Sequence, residues 1–267
     1  MPNAAQTNKE LVQRYRLDNT ILESYFKNAK NQPVRDVVFP LRIDNRQYCS
    51  PTDHQGDKPS CCGYSTAQIL ESLHWMRTGK IVQFDADQIY AKAKETDNQM
   101  GFGGTYPDLA MRKGLELVPD GGVKDYEVKT STSRDICELK RVLHANLFAC
   151  ANMVVTDDIY SLGPGNFVYS GSGKRAGGHS LVCCGYDEES KMLIMQNHWG
   201  VDWGLKGFFL CPYNVWMGQN NLTCWYERVC LLPGRRATPR RRGGRNRNGA
   251  IEVSEESSAT HLGELPG

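Results

Sequence analysis

The chain has 267 residues, of which 40% are apolar and 23% charged, with a formal net charge of +2. That is ordinary globular composition with enough length for a sizeable core, and it excludes a wholly disordered or fibrous protein. No run of about 18 apolar residues occurs, so neither a spanning helix nor a membrane partner is expected. Met1 to Arg14 lacks the apolar centre of an export signal. The ten cysteines are therefore read as thiols of a reducing, cytoplasmic-type compartment, with non-classical export left open. No Cys-x-x-Cys pair exists, and the doublets Cys61-Cys62 and Cys183-Cys184 are wrongly spaced for a zinc knuckle, so no metal or other cofactor is expected.

In chain order, residues 1–8 are polar, and Lys9 to Ala29 carries apolar residues at helical spacing, which predicts an amphipathic helix packing on the body. Residues 1–35 are taken as an N-terminal extension. Val37 to Ile43 reads as a short strand. The turn-rich stretch from Asp53 to Ser60 then runs into a helix from Cys61 to Arg77, with Ile69, Leu70, Leu73 and Met76 as its apolar face and Gly79 as C-cap. Asp85 to Lys94 reads as a second helix with Asp85 as N-cap. After the glycine turn Gly101 to Gly104, Thr105 and Asp108 frame a third helix through Leu115. Asp120-Gly121-Gly122 is a turn, and Ser133 to Asn146 a fourth helix.

From there the character changes. Strands are expected at 147–155, 166–169, 180–186, 191–196, 207–210 and 226–232. Helices first and strands later argue an α+β protein with segregated halves, about 50–146 and 147–233, and a cleft between them. Residues 234–267 hold seven arginines and four glutamates, a local charge of +3 that leaves the body near neutral. This segment is expected to be a disordered tail. Its Arg-rich part would suit an acidic partner or nucleic acid, but no aromatic is present for base stacking.

Cys61 stands where a loop becomes a helix, a position at which unpaired N–H groups and the helix dipole favour a thiolate. A cysteine nucleophile also needs a base, and the base needs an orienting group. His179 enters an apolar strand in Gly177-Gly178-His179-Ser180, and Asn197 opens a segment with two tryptophans among glycines. His179 suits the base and Asn197 the acceptor that fixes its tautomer. Gln55 suits an oxyanion donor beside the Cys61 backbone N–H. Attack on a peptide carbonyl follows from such a set.

This order resembles the papain-like cysteine peptidases over roughly residues 36–232. Gln55-Gly56 to Cys61 matches the family's Gln-Gly, four residues, Cys pattern, and Asn197-His198-Trp199-Gly200-Val201-Asp202-Trp203-Gly204 matches its Asn-Ser-Trp-Gly-x-x-Trp-Gly. The resemblance implies a papain-like fold, with a mostly helical half facing an antiparallel β-barrel-like half. It also implies a Cys61, His179, Asn197 triad with Gln55 in the oxyanion hole, and an acyl-enzyme route to peptide hydrolysis. By the same resemblance Gly103 and Gly104 hold an extended polypeptide substrate, with Gly178 lining the cleft. Trp199 shields the His179–Asn197 pair and forms part of the leaving-group side. The chain is expected to act as a monomer.

The departures from the family are specific. Lys58 and Gly101 stand where the family pairs two cysteines, so its bridges are expected to be unused. Cys62 replaces a tryptophan and is expected to pack inward, although oxidation between Cys61 and Cys62 is a possible off-switch. His198 occupies a serine position and is assigned no role. Gly171 to Lys174 only superficially resembles a phosphate loop and is rejected. The rival readings are a papain-fold deamidase or acyltransferase acting on protein side chains, and a non-catalytic binding protein.

Overall fold

The computed structural model describes residues 39–99, 101–118, 126–131, 134–146, 148–218 and 224–231. The expected N-terminal helix, the turn at 120–122 and the tail at 234–267 lie outside them. Strand β1 (Arg42–Asp44) is followed by helices α1 (Cys61–Thr78), α2 (Ala86–Lys94) and α3 (Pro107–Glu116). Then come β2 (Tyr126–Ser131), α4 (Ile136–Asn146), β3 (Ala149–Thr156), β4 (Arg175–Asp187), β5 (Met192–Gln196), β6 (Phe208–Pro212), the single turn α5 (Tyr213–Trp216) and β7 (Cys224–Leu231).

The strands form one antiparallel sheet in the order β2-β7-β3-β4-β5-β6, with β1 also paired to β4. The fold is α+β as expected. The β-rich half is an open sheet, however, so "barrel-like" describes it loosely. The halves are also less segregated than the order of elements suggests. β2 lies inside the stretch assigned to the helical half and pairs with β7 at the sheet edge. Residues 166–169 form no regular strand; Val168 bridges to Leu210, and the Tyr169 hydroxyl accepts the Thr156 N–H of β3 at 2.9 Å.

Both faces of the central strands are buried, which is why they read as near-continuous apolar runs. Cys150, Val182, Cys184, Ile194, Phe208 and Leu210 join the core around α1. Their neighbours Ala149, Ala151, Leu181, Cys183, Leu193, Met195 and Phe209 join a second core under α4. The period-2 alternation thus feeds two apolar layers, one on each face of the sheet.

Helix α1 packs between the other helices and the sheet. It is buried well beyond one stripe: Ile69, Leu70 and Leu73 are buried, and so are Ser65, Thr66, Gln68, Glu71 and Ser72. Truncating any of the three large apolar residues should cost about 2–5 kcal/mol. Several of its polar side chains have defined partners. Ser72 Oγ donates to the Gln68 carbonyl at 2.6 Å and accepts the Ser50 N–H at 2.8 Å. Glu71 accepts the Phe84 N–H at 2.9 Å.

Two glycines let the helices close in. A Cβ at Gly63 would overlap the Ala86 carbonyl of α2, and one at Gly114 of α3 would overlap Thr66 and Leu70. The helix stops at Gly79, whose φ of 69° is left-handed and whose N–H returns to the Trp75 carbonyl at 2.8 Å. Asp85 caps α2 by accepting the Gln88 N–H at 2.9 Å.

Candidate active site

Cys61 is the first residue of α1, so its backbone N–H has no partner within the helix. His179 lies near the start of β4, and Asn197 directly follows β5. Since β5 pairs with β4, Asn197 emerges beside His179, and the two side chains meet with Nε2 and Oδ1 2.9 Å apart. Asn197 Oδ1 also accepts the His198 backbone N–H at 2.9 Å. A backbone N–H only donates, so the atom facing it is the amide oxygen and the orientation of Asn197 is settled. His179 Nε2 is therefore a donor, which leaves Nδ1 for the thiol.

His179 lies close enough to Cys61 to act on its thiol. The thiol, half-buried, is held well below the usual thiol range. The largest cause is the neighbouring Cys62 thiol; burial opposes it and His179 reinforces it. The Cys62 thiol is pushed well up, first by Cys61 and then by its own burial. It is 4% exposed, and its Sγ lies 3.3 Å from the Thr105 carbonyl. The expected inward packing of Cys62 is thus what the structure has, but the residue does not stand apart from its neighbour, since it polarises it.

Gln55 is buried. The Trp199 indole N–H donates to its Oε1 at 3.3 Å, so Nε2 faces the loop before Cys61, where one of its hydrogens reaches the Lys58 carbonyl at 2.6 Å. The second Nε2 hydrogen remains for a ligand. Two backbone bonds bind this loop to the Asn197 turn: Gln55 N–H to the His198 carbonyl and Gly200 N–H to the Asp53 carbonyl, both 2.9 Å. From α1, Gln68 Nε2 donates to the Asn197 carbonyl at 3.3 Å. Loop, helix and strand turn are thereby fixed to one another.

Trp199 stacks on His179, ring centroids 4.8 Å apart and planes 29° apart, and so covers the histidine next to its bond with Asn197. Tyr160 stacks on the same indole at 5.2 Å and 16° while remaining 61% exposed. Trp203 packs edge-on against Trp199 and Phe209. Tyr160 belongs to a short turn braced by the stretch that resembles a phosphate loop. Lys174 N–H donates to Asp157 Oδ1 and the Asp157 N–H to the Lys174 carbonyl, both at 2.8 Å, and Ser170 Oγ donates to Asp158 at 2.6 Å. Spent on carboxylates of its own chain, that stretch is a brace.

Of the other expected substrate contacts, Gly103 and Gly104 lie in the turn beside Pro59, and Gly104 has φ 80°. Gly178 precedes His179 with open space where a side chain would be. Lys58, in the place of a bridging cysteine, makes an exposed ion pair with Asp87 of α2. Cys49, Cys61, Cys62, Cys137, Cys183 and Cys184 are free thiols. Among the described residues no helix is long and apolar enough to cross a membrane.

One residue at the site was missed in the sequence. His198, fully buried, donates from Nε2 to the Ser180 carbonyl at 2.8 Å and lies edge-on to His179 with ring centroids 5.1 Å apart. Its only signal was its departure from the family's serine.

The comparisons with known proteins point to one family. The model of the papain family cysteine proteases matches residues 121–224. Bovine pro-cathepsin H is 29% identical over 201 residues, covering 64% of this chain and 59% of its own length. Caricain from Carica papaya is 26% identical over 229 residues, covering 74% of this chain and 63% of its own. The chain thus spans about three-fifths of the length of these relatives. Among solved structures, xylellain, a cysteine protease from Xylella fastidiosa, superposes with a TM-score of 0.55 at 15% identity, over 82% of this chain and 91% of its own. Procathepsin L 3 of Tenebrio molitor gives 0.55 at 16%, over 78% and 79%. The fold is papain-like. In sequence the chain is similar to the papain family of cysteine proteases.

Proposed function

We propose that the protein is a cysteine endopeptidase. In this reading Cys61 is the nucleophile, His179 the base and then the acid, and Asn197 the group that orients His179. Gln55 and the Cys61 backbone N–H stabilise the oxyanion. The observation that carries it is the His179–Asn197 hydrogen bond at 2.9 Å beside a Cys61 thiol that His179 helps to lower.

The Cys61 thiolate attacks the substrate carbonyl carbon and forms a C–S bond while the carbonyl π electrons move to oxygen. That oxygen faces Gln55 Nε2 and the helix-start N–H, donors fixed before the charge appears. Collapse of the tetrahedral species breaks the C–N bond, and the His179 imidazolium gives its Nδ1 proton to the leaving amine. Water, deprotonated by His179, then hydrolyses the thioester and regenerates the pair. Gly103 and Gly104 would hold the extended backbone ahead of the scissile bond, Gly178 would leave room beside it, and Trp199 with Tyr160 would face the leaving side.

The test is cleavage of a peptide library followed by mass spectrometry, with wild type against Cys61→Ser. Backbone cleavage lost in the variant supports the reading. A mass change at glutamine side chains with the backbones intact would instead make the protein a deamidase or acyltransferase, and no change at all would make it a binding protein.

A further inference from the structure

A fully buried histidine, His198, lies edge-on to the proposed base with ring centroids 5.1 Å apart. We propose that His198 is a positioning residue for the thiol–imidazole pair, tying the nucleophile helix, the base strand and the orienting turn to one another. The proposal rests on the peptidase reading and adds a residue to it.

Three contacts carry the argument. His198 follows Asn197, and Ser180 follows His179. His179 Nε2 meets Asn197 Oδ1 at 2.9 Å, and His198 Nε2 meets the Ser180 carbonyl at 2.8 Å. The same two dipeptides are therefore joined twice, by bonds running in opposite directions. One hydrogen bond leaves the base free to swing about its acceptor, whereas two opposed bonds fix both offset and orientation.

The third contact goes to the helix. Ser65 Oγ lies 3.3 Å from His198 Nε2, and Ser65 is four residues beyond Cys61, about one turn along the same face. The Tyr64 ring lies 5.7 Å from the His198 ring. His198 thus meets the helix that carries the nucleophile, the strand that carries the base and the turn that carries the orienting amide.

Its chemistry suits a fixed strut. The Ser180 carbonyl only accepts, so the proton is on Nε2. Burial and the neighbouring His179 push the imidazole down to about 3, so it stays neutral and does not compete with His179 for the thiol proton. A serine side chain ends two bonds nearer Cβ and cannot donate from the same place. Because a displacement of about 1 Å at a reacting pair can cost about 100-fold in rate, a strut at this junction bears on reactivity.

The test follows alkylation of Cys61 by iodoacetamide against pH, located by peptide mapping, in the full chain and in His198→Phe, His198→Ser and His198→Gln. Circular dichroism establishes folding. Phenylalanine keeps a ring and loses the donor, while glutamine keeps a donor near the Nε2 position. We expect Phe and Ser to slow alkylation at neutral pH about tenfold or more and to move its acid limb to higher pH. Gln should stay near wild type. A wild-type profile in His198→Phe, or a Gln variant as impaired as Phe, overturns the proposal. If His198→Phe does not fold, Ser65→Ala is the milder cut. An acid limb moved upward there supports the proposal, and an unmoved limb overturns it. Alkylation needs no peptide, so failure to cleave the library would count against the peptidase reading and not against this one.

Discussion

Asn197 Oδ1 receives two hydrogen bonds at 2.9 Å, one from His179 Nε2 and one from the His198 backbone N–H. The backbone bond holds the acceptor in place whether or not His179 is charged. Asn197→Ala should therefore lower kcat about 10- to 100-fold, the worth of a hydrogen bond to a charged partner, with little change in KM. Steady-state kinetics on a cleaved library peptide measures it. An unchanged kcat would mean that His179 is oriented by Trp199 and the His198–Ser180 bond without Asn197.

The adjacent thiols should separate by pH. Cys61 is held well below the usual thiol range and Cys62 well above it. At about two pH units below the ordinary thiol value of ~8.5, alkylation should mark Cys61 and spare Cys62. Because the Cys62 thiol is the largest cause holding Cys61 down, Cys62→Ala should raise the pH at which Cys61 alkylation falls off. Peptide mapping after short labelling reads both effects.

Gln55 presents its amide nitrogen because the Trp199 indole N–H occupies its oxygen. Gln55→Ala should reduce kcat about 100-fold or more, the usual cost of one oxyanion donor, while the alkylation rate of Cys61 stays near wild type. A parallel fall in alkylation would assign Gln55 to thiolate stabilisation.

Glu71 ties stability to pH. Burial pushes its carboxyl up to about 8. Since the folded value lies above the unfolded one of 4.5, its contribution is full below about pH 4.5. It declines as the pH rises and is gone above about pH 8. Glu71→Gln keeps an oxygen for the Phe84 N–H and removes the titration. It should flatten the dependence of Tm on pH and gain on the order of a few kcal/mol over wild type near pH 8. Thermal unfolding of both proteins between pH 5 and 8 measures it.

The placement of Cys61, His179, Asn197 and Gln55 was legible because each stands at a boundary that sequence marks well. Cys61 follows a turn rich in Gly and Pro, and His179 and Asn197 flank apolar runs. Gly79 and Asp85 were legible as caps for the same reason. β2 was not, although Tyr126-Glu127-Val128-Lys129 alternates. It pairs with β7, almost 100 residues later in the chain, and no local signal states such a pairing. Val168 was read into a strand on its apolar neighbours, whereas it makes a single bridge to Leu210. His198 was passed over because its partners, Ser65 and Ser180, are brought to it only by the fold. The use of the Lys174 loop as a brace for Tyr160 depends on Asp157 and Asp158, which lie outside the motif itself.

The most direct measurement for the peptidase reading is to trap the acyl-enzyme. The protein would be mixed with a peptidyl 4-nitrophenyl ester and quenched in acid, and the acyl group located by mass spectrometry of its peptides. The account predicts a burst of nitrophenol matching one acyl group per active chain, with the acyl mass on Cys61 and on no other cysteine. An adduct on Cys62 or another thiol, or steady release without any adduct on Cys61, would contradict it.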